Sequence, residues 1–356
     1  MDFRLKLGIS AGIIFAVVLS SILYSAGPSS TTSGIDNKPS NSLRIGYFPN
    51  LNHAQALIGL DTGVFQRALG DNVKIDSKMF SAGPSLIEAL FANQIDVAFI
   101  GPNPTINGYI VSDGNGLKVI SGAASGGAVF VVRNDSGISS HKDFGNRVFA
   151  SPQLGNTQDV ALRKYIIESG FKTKENGGNV SVVQASPSDI LTLFLKKQID
   201  GAWVPEPWGA RLVKEAGGRI LVDERSLWPN GKFVTANIIA RSDYLKNNPD
   251  TIKKFLSANI DETIWLNKNK DLGIKLFNQA LKNITGKTIR QDELSDAWSR
   301  LKFTYDPIKS SLLQSANSAY DLGFLAKGKE RPNLSGLYDL TILNNILKQR
   351  SLQKIE

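Results

Sequence analysis

The chain has 356 residues, with 41 basic and 32 acidic side chains, two histidines and no cysteine. Without cysteine it forms no disulfide, thiolate metal site, iron–sulfur cluster, thiol nucleophile or lipid-modified cysteine anchor, and His53 and His141 are too few for an imidazole metal site. The net charge of +9 favours an anionic partner, but no dense Lys/Arg cluster interleaves with aromatics, so nucleic acid is not expected.

Leu7–Ala26 is a run of twenty uncharged residues preceded by Arg4 and Lys6. That length crosses a bilayer, and the leading charges place the N-terminus on the cytoplasmic side. Residues 1–26 are therefore expected to be an uncleaved transmembrane anchor, with the body on the extracytoplasmic face. The alternative is a cleaved signal peptide that releases a secreted or periplasmic body, but its apolar core would be long and no Ala-x-Ala pattern ends it. The Gly-x-Ser-x-Gly pattern at Gly8–Gly12 lies inside this run, without the strand–turn–helix context a nucleophile needs. Residues 27–42, rich in Ser, Thr, Gly and Pro, read as a flexible tether.

The length of the chain exceeds what one core fills, roughly 250–300 residues, which suggests two lobes. Strands are predicted at Leu43–Tyr47, Val73–Ile75 and Leu117–Ile120, with helices between them, the pattern of a mostly parallel sheet. Ala128–Val132 is read as a strand crossing to a second lobe. That lobe carries a strand at Arg147–Ala150 and a helix from Thr157 to Ser169 closed by Gly170. Phe233–Ala240 is read as the strand crossing back, so the two crossings form a hinge. The first lobe is thus expected to comprise residues 43–128 and 240–356, and the second 129–239. Beyond Ser242 the pattern is helical.

A disguised repeat organises both lobes. Residues 82–104, AGPSLIEALFANQIDVAFIGPNP, match residues 185–207, ASPSDILTLFLKKQIDGAWVPEP. Each copy reads as a helix begun by Pro, with Gly83 or Ser186 in the cap position, feeding a short buried strand that stops at prolines. Two copies imply two similar α/β lobes whose strand ends and helix starts face a shared space.

Open α/β sheets bind ligands beyond the carboxyl ends of their strands, where helix N-termini offer free N–H groups to anions. On that logic the candidate site residues are Ser81, Ala82 and Gly83; Asn103; Gln153, Gly155, Asn156 and Thr157; and Glu206 with Trp208. Asn52 and His53 follow the first strand, and Ser125 and Gly126 precede the first crossing. Gly155 permits close backbone approach and Asn156 or Thr157 caps the next helix, although Asp159 in its first turn partly satisfies that end itself. Glu206 between two prolines would suit an amine or sit on an exposed rim. Trp203 and Trp208 would wall an alkyl chain, although a strand residue beside Ala202 is buried by default, which assigns one of the two to the core.

IGYFPNLNHAQALIG at 45–59, GPNPTINGY at 101–109, PQLGNTQDVALR at 152–163 and GAWVPEPWGARLV at 201–213 resemble the aliphatic sulfonate, taurine and nitrate group of solute-binding proteins. The resemblance covers roughly residues 43–325. It implies the α/β fold of a type II periplasmic binding protein, with two mostly parallel sheets joined by a two-strand hinge. It also implies a monomer that closes on a small anionic ligand and delivers it to the permease subunits of an ATP-binding cassette importer. The cysteine lipid anchor common in relatives is missing, and the N-terminal helix would replace it. A related branch that makes the thiamine pyrimidine uses a cysteine-rich motif, which this chain lacks. An exported enzyme, either a hydrolase or of that pyrimidine-precursor type, is the alternative. The expectation is capture without catalysis and without a cofactor.

Overall fold

The computed structural model describes residues 40–325 and 331–356. The expected anchor at 1–26 and most of the tether at 27–42 lie outside the described residues. Ser42, assigned to that tether, already belongs to the first strand, and the backbone N–H of Ser40 donates to Asn248 Oδ1 at 2.6 Å. Among the described residues no helix is long and apolar enough to cross a membrane.

The described residues form eleven strands: β1 (Ser42–Tyr47), β2 (Lys74–Met79), β3 (Val97–Ile100), β4 (Leu117–Gly126), β5 (Ala128–Arg133), β6 (Val148–Ser151), β7 (Ser181–Gln184), β8 (Gly201–Pro205), β9 (Gly218–Asp223), β10 (Val234–Arg241) and β11 (Leu301–Phe303). They build two sheets, in the orders β11-β4-β10-β3-β1-β2 and β7-β6-β8-β5-β9. Apart from β11, the two orders are the same when β1, β2, β3, β4 and β10 are set against β6, β7, β8, β9 and β5. In the shared five-strand pattern one strand of each sheet is antiparallel to both neighbours, β10 to β3 and β4 and β5 to β8 and β9, and the extra edge strand β11 is antiparallel to β4.

The hinge differs from the expectation drawn above. Neither predicted crossing strand spans the halves; β5 lies wholly in the five-stranded sheet and β10 wholly in the six-stranded one. The chain crosses at Gly127, directly between β4 and β5, and returns through the turns at Glu224–Leu227 and Pro229–Gly231. The boundary expected at 239 therefore falls near Phe233. Gly126 and Gly127 both have positive φ, 76° and 77°, and a Cβ at Gly127 would lie 2.8 Å from Asn52 Nδ2, so glycine is required there. A second difference is β11, an edge strand pairing with β4 inside the region read as purely helical.

The repeat folds as two equivalent helix–strand units. Helices Gly83–Phe91 and Pro187–Leu195 bury Leu86 and Leu90, or Ile190 and Phe194, against their sheets. Ser186 caps its helix by accepting the N–H of Asp189, as expected, whereas in the first copy Ala82 holds the cap position and Gly83 is already helical. Gly83 is constrained by packing, since a Cβ there would meet Pro104 Cγ at 2.2 Å. Trp203 is fully buried and stacks on Phe130, their ring centroids 5.4 Å apart, as its strand position predicts. Burying an aromatic side chain of that size stabilises the fold by about 2–3 kcal/mol.

Candidate functional site

The carboxyl ends of β1, β3, β6 and β8 run into Phe48, Gly101, Pro152 and Pro205, and these four residues line one cavity between the halves. Asn50, Asn52, His53, Ser81, Ala82 and Thr235 add to it from the six-stranded half, and Asn156, Thr157, Gln158 and Pro187 from the other. It has a volume of about 30 Å³. Among the described residues lining it there is no Asp, Glu, Lys or Arg, and His53 is the one titratable side chain.

Four helices begin at this cavity, at Gly83, Pro102, Thr157 and Pro187. Their usefulness as donors differs by sequence. Pro102 and Pro104 leave Asn103 as the single N–H in the first three positions of its helix, and Pro84 and Pro187 each remove another. Helix Thr157–Glu168 has no proline: its first intrahelical bond runs from Val160 N–H to the Asn156 carbonyl at 3.0 Å, so three preceding N–H groups point out of its end. Asp159 does not cancel that end, because its buried carboxylate accepts from Ser151 Oγ (2.6 Å), Gly155 N–H (2.9 Å) and Arg163 Nε (3.1 Å).

Three buried polar atoms on the lining residues have no protein partner: Thr157 Oγ1, His53 Nδ1 and Asn52 Oδ1. The Asn52 side chain is fixed, with Nδ2 donating to the Gly126 carbonyl at 2.9 Å and to Thr235 Oγ1 at 3.0 Å. His53 is buried beside Phe48, ring centroids 4.8 Å apart, and burial pushes its pKa down to about 3, so it is neutral at ordinary pH. The halves meet closely at the rim: a Cβ on Gly101 would stand 2.5 Å from Thr157 Oγ1. Oriented N–H dipoles, an unpartnered hydroxyl and a neutral imidazole suit a small anion without a counter-charge.

Of the residues expected from sequence, Asn52, His53, Ser81, Ala82, Asn156 and Thr157 line this cavity. The others do not. Glu206 is neither free for an amine nor exposed: it is fully buried, with Oε1 paired to Arg300 Nε at 2.5 Å and Oε2 accepting the Ala210 N–H at 3.0 Å. Trp208 donates through Nε1 to Asn50 Oδ1 at 3.0 Å, so it holds a lining residue rather than forming the wall itself. Ser125 Oγ accepts the Phe233 N–H, and the Gly126 carbonyl is taken by Asn52 and Thr235, which puts both residues in the crossing. Asn103 turns toward helix Lys309–Asp321, donating to the Ser315 carbonyl at 3.4 Å. Gly155 faces an outer groove beside Phe324, Gln153 supplies its carbonyl to the Asn156 N–H, and Gly83 is spent on packing.

Sequence reasoning missed Phe48, Asn50, Gly101, Pro152, Gln158, Pro187, Pro205 and Thr235. Three of them, Phe48, Gly101 and Pro152, stand one residue beyond a strand end, and Pro205 is the last residue of β8. Thr235 carried no such signal, since it arrives on β10 from the other end of the chain.

A binding protein of Brucella abortus (strain 2308) is 25% identical over 271 residues, 73% of this chain and 79% of that one. The fold superposes on the alkanesulfonate-binding protein SsuA of Xanthomonas axonopodis pv. citri bound to MOPS, with a TM-score of 0.68 at 18% identity, covering 81% of this chain and 96% of the other. It also superposes on the periplasmic nitrate-binding protein NrtA of Synechocystis PCC 6803, with a TM-score of 0.69 at 15% identity, covering 88% and 90%. These likenesses give the periplasmic-binding-protein fold. The model of the NMT1-like family matches residues 36–273, and the chain belongs to that family.

Proposed function

We propose that the protein is an extracytoplasmic solute receptor that captures a small anion of the alkanesulfonate, taurine or nitrate kind between its halves. It passes the solute to the permease subunits of an ATP-binding cassette importer, working as a monomer held at the membrane by residues 1–26. The observation that carries the reading is the uncharged cavity onto which four helix starts converge, with Thr157 Oγ1 and His53 Nδ1 unpartnered. The names of the Brucella, Xanthomonas and Synechocystis proteins point the same way. Capture without turnover fits a lining whose single titratable group is neutral, because neither a nucleophile–base pair nor an acid–base pair is assembled there.

The test is a thermal-shift panel on the full-length protein in mild detergent, with alkanesulfonates, taurine, nitrate, bicarbonate and sulfate. A solute at about 100 times its dissociation constant adds roughly 2.7 kcal/mol and raises the midpoint by several degrees. A hit confirmed by calorimetry without product formation supports the reading; a folded protein that answers to no anion sinks it.

A further inference from the structure

Away from the cavity, two helices of the six-stranded half meet along a polar seam. Gln55 and Gly59 lie one turn apart on helix Ala54–Asp61, and Asn259, Glu262 and Thr263 share one face of helix Pro249–Lys268. Gln55 Nε2 donates to Thr263 Oγ1 at 3.3 Å and to the Ala123 carbonyl at 2.8 Å, and Thr263 Oγ1 donates to the Asn259 carbonyl at 2.7 Å. Glu262 Oε2 lies 2.7 Å from where a Cβ on Gly59 would stand. Gln55 and Asn259 are wholly buried, and Glu262 is 6% exposed.

Five side-chain atoms of this seam have no partner among the described residues: Gln55 Oε1, Asn259 Oδ1 and Nδ2, and both carboxylate oxygens of Glu262. Burial is the sole cause that pushes the Glu262 carboxyl well above its ordinary range, so no charged side chain stands close enough to compensate it. An ionised carboxylate left alone there would be costly, and it must either hold a proton or meet a cation. A proton meets the need poorly. Asn259 Nδ2 is the one free donor against four acceptor oxygens, and a proton on Glu262 adds a single donor more. A cation satisfies the amide oxygens and the carboxylate at once. Donors that are all oxygen suit a hard ion, and a single carboxylate balances a single positive charge.

We propose that Gln55 Oε1, Asn259 Oδ1 and the Glu262 carboxylate bind one monovalent cation, sodium or potassium, between these two helices. The site is separate from the solute cavity, which none of the three residues lines. The ion fastens helix Ala54–Asp61, which directly follows Asn52 and His53, to helix Pro249–Lys268.

Thermal unfolding of the full-length protein in mild detergent, in sodium, potassium and choline chloride at equal chloride, tests this. Chloride is the same throughout, so the anion cavity meets one condition in every sample. The midpoint should rise saturably by several degrees in sodium or potassium and stay level in choline. Glu262→Gln should abolish that rise, and Asn259→Leu should weaken the cation's affinity about tenfold. Crystals of the unaltered protein soaked in thallium(I) acetate should show an anomalous peak among Gln55, Asn259 and Glu262. Equal midpoints in the three salts, or a cation response that survives both substitutions, would overturn the proposal in favour of a protonated Glu262 among buried waters. If neither variant folds, a thallium soak without a peak there does the same.

Discussion

Asp96 and Asp200 hold the same place in the two sheets. Each carboxylate accepts the backbone N–H of a residue on the neighbouring parallel strand, Arg44 on β1 at 2.9 Å and Val148 on β6 at 2.9 Å. Each N–H in turn reaches that residue's carbonyl, at 2.9 and 2.7 Å. Arginines neutralise both: Arg44 and Arg241 at Asp96, Arg133 and Arg147 at Asp200. The repeated Gln-Ile-Asp thus fastens the amino ends of β3 and β8, opposite the cavity, and its purpose is registration of the strands.

Asp96→Asn should therefore cost stability without touching affinity. The Asp96 side chain is wholly buried between two arginines, and uncoupling such a group costs about 3–5 kcal/mol. Asp200 is 17% exposed with looser pairs at 3.4 and 3.8 Å, so Asp200→Asn should cost about 0.5–1.5 kcal/mol. Urea unfolding measures both, and equal losses would contradict the ranking.

The Glu206–Arg300 pair ties the end of β8 to the residue before β11. Arg300→Met leaves a buried carboxylate uncompensated and should cost about 3–5 kcal/mol, whereas Glu206→Gln with Arg300→Met should recover much of that. A double-mutant cycle by chemical denaturation reads the coupling; additive losses would show that the pair does not act as a unit.

At the cavity, Thr157→Val removes the unpartnered hydroxyl while preserving shape, and should weaken anion binding by about 1–3 kcal/mol in calorimetry. Gly101→Ala places a methyl group 2.5 Å from that hydroxyl and should hold the halves apart, seen as a larger radius of gyration in X-ray scattering with ligand present. Pairing it with Thr157→Ala should restore part of the closure. An unaltered radius in Gly101→Ala would mean that the halves do not close there.

Two buried groups give the stability curve opposite slopes. His53 stays neutral in the fold down to about pH 3, while the unfolded chain takes a proton near 6.5, so its contribution falls as pH drops from 6.5 toward 3. Glu224, raised by burial to about 7 from an ordinary 4.5, keeps its proton in the fold, and its contribution is lost as pH rises from 4.5 to 7. Each slope approaches about 1.4 kcal/mol per pH unit for one proton. Denaturation midpoints across pH 3–8 should lose the acid-side slope in His53→Gln and the neutral-side slope in Glu224→Gln; an unchanged profile in either variant removes that group as the cause.

Much of the fold was legible because its signals are local. Apolar runs of strand length, prolines at helix starts and a helix–strand unit written twice follow from short-range sterics and periodicity, so the paired α/β halves and the helix at Thr157 could be read from the chain. That Asn52, His53, Ser81, Ala82, Asn156 and Thr157 lie around one cavity was legible for the same reason, since they sit where strands stop and helices begin. The rest depended on pairings across long stretches of sequence. Whether Glu206 meets solvent or Arg300, whether Trp208 walls a ligand or holds Asn50, and whether Thr235 reaches the cavity are set by which segments distant in sequence the fold brings together. The sequence by itself determined the two repeated halves and the helix starts that face the cavity. Only the tertiary structure decided which polar groups remain unpartnered at the cavity, because a side chain's free hydrogen bonds are what is left after distant residues have taken theirs.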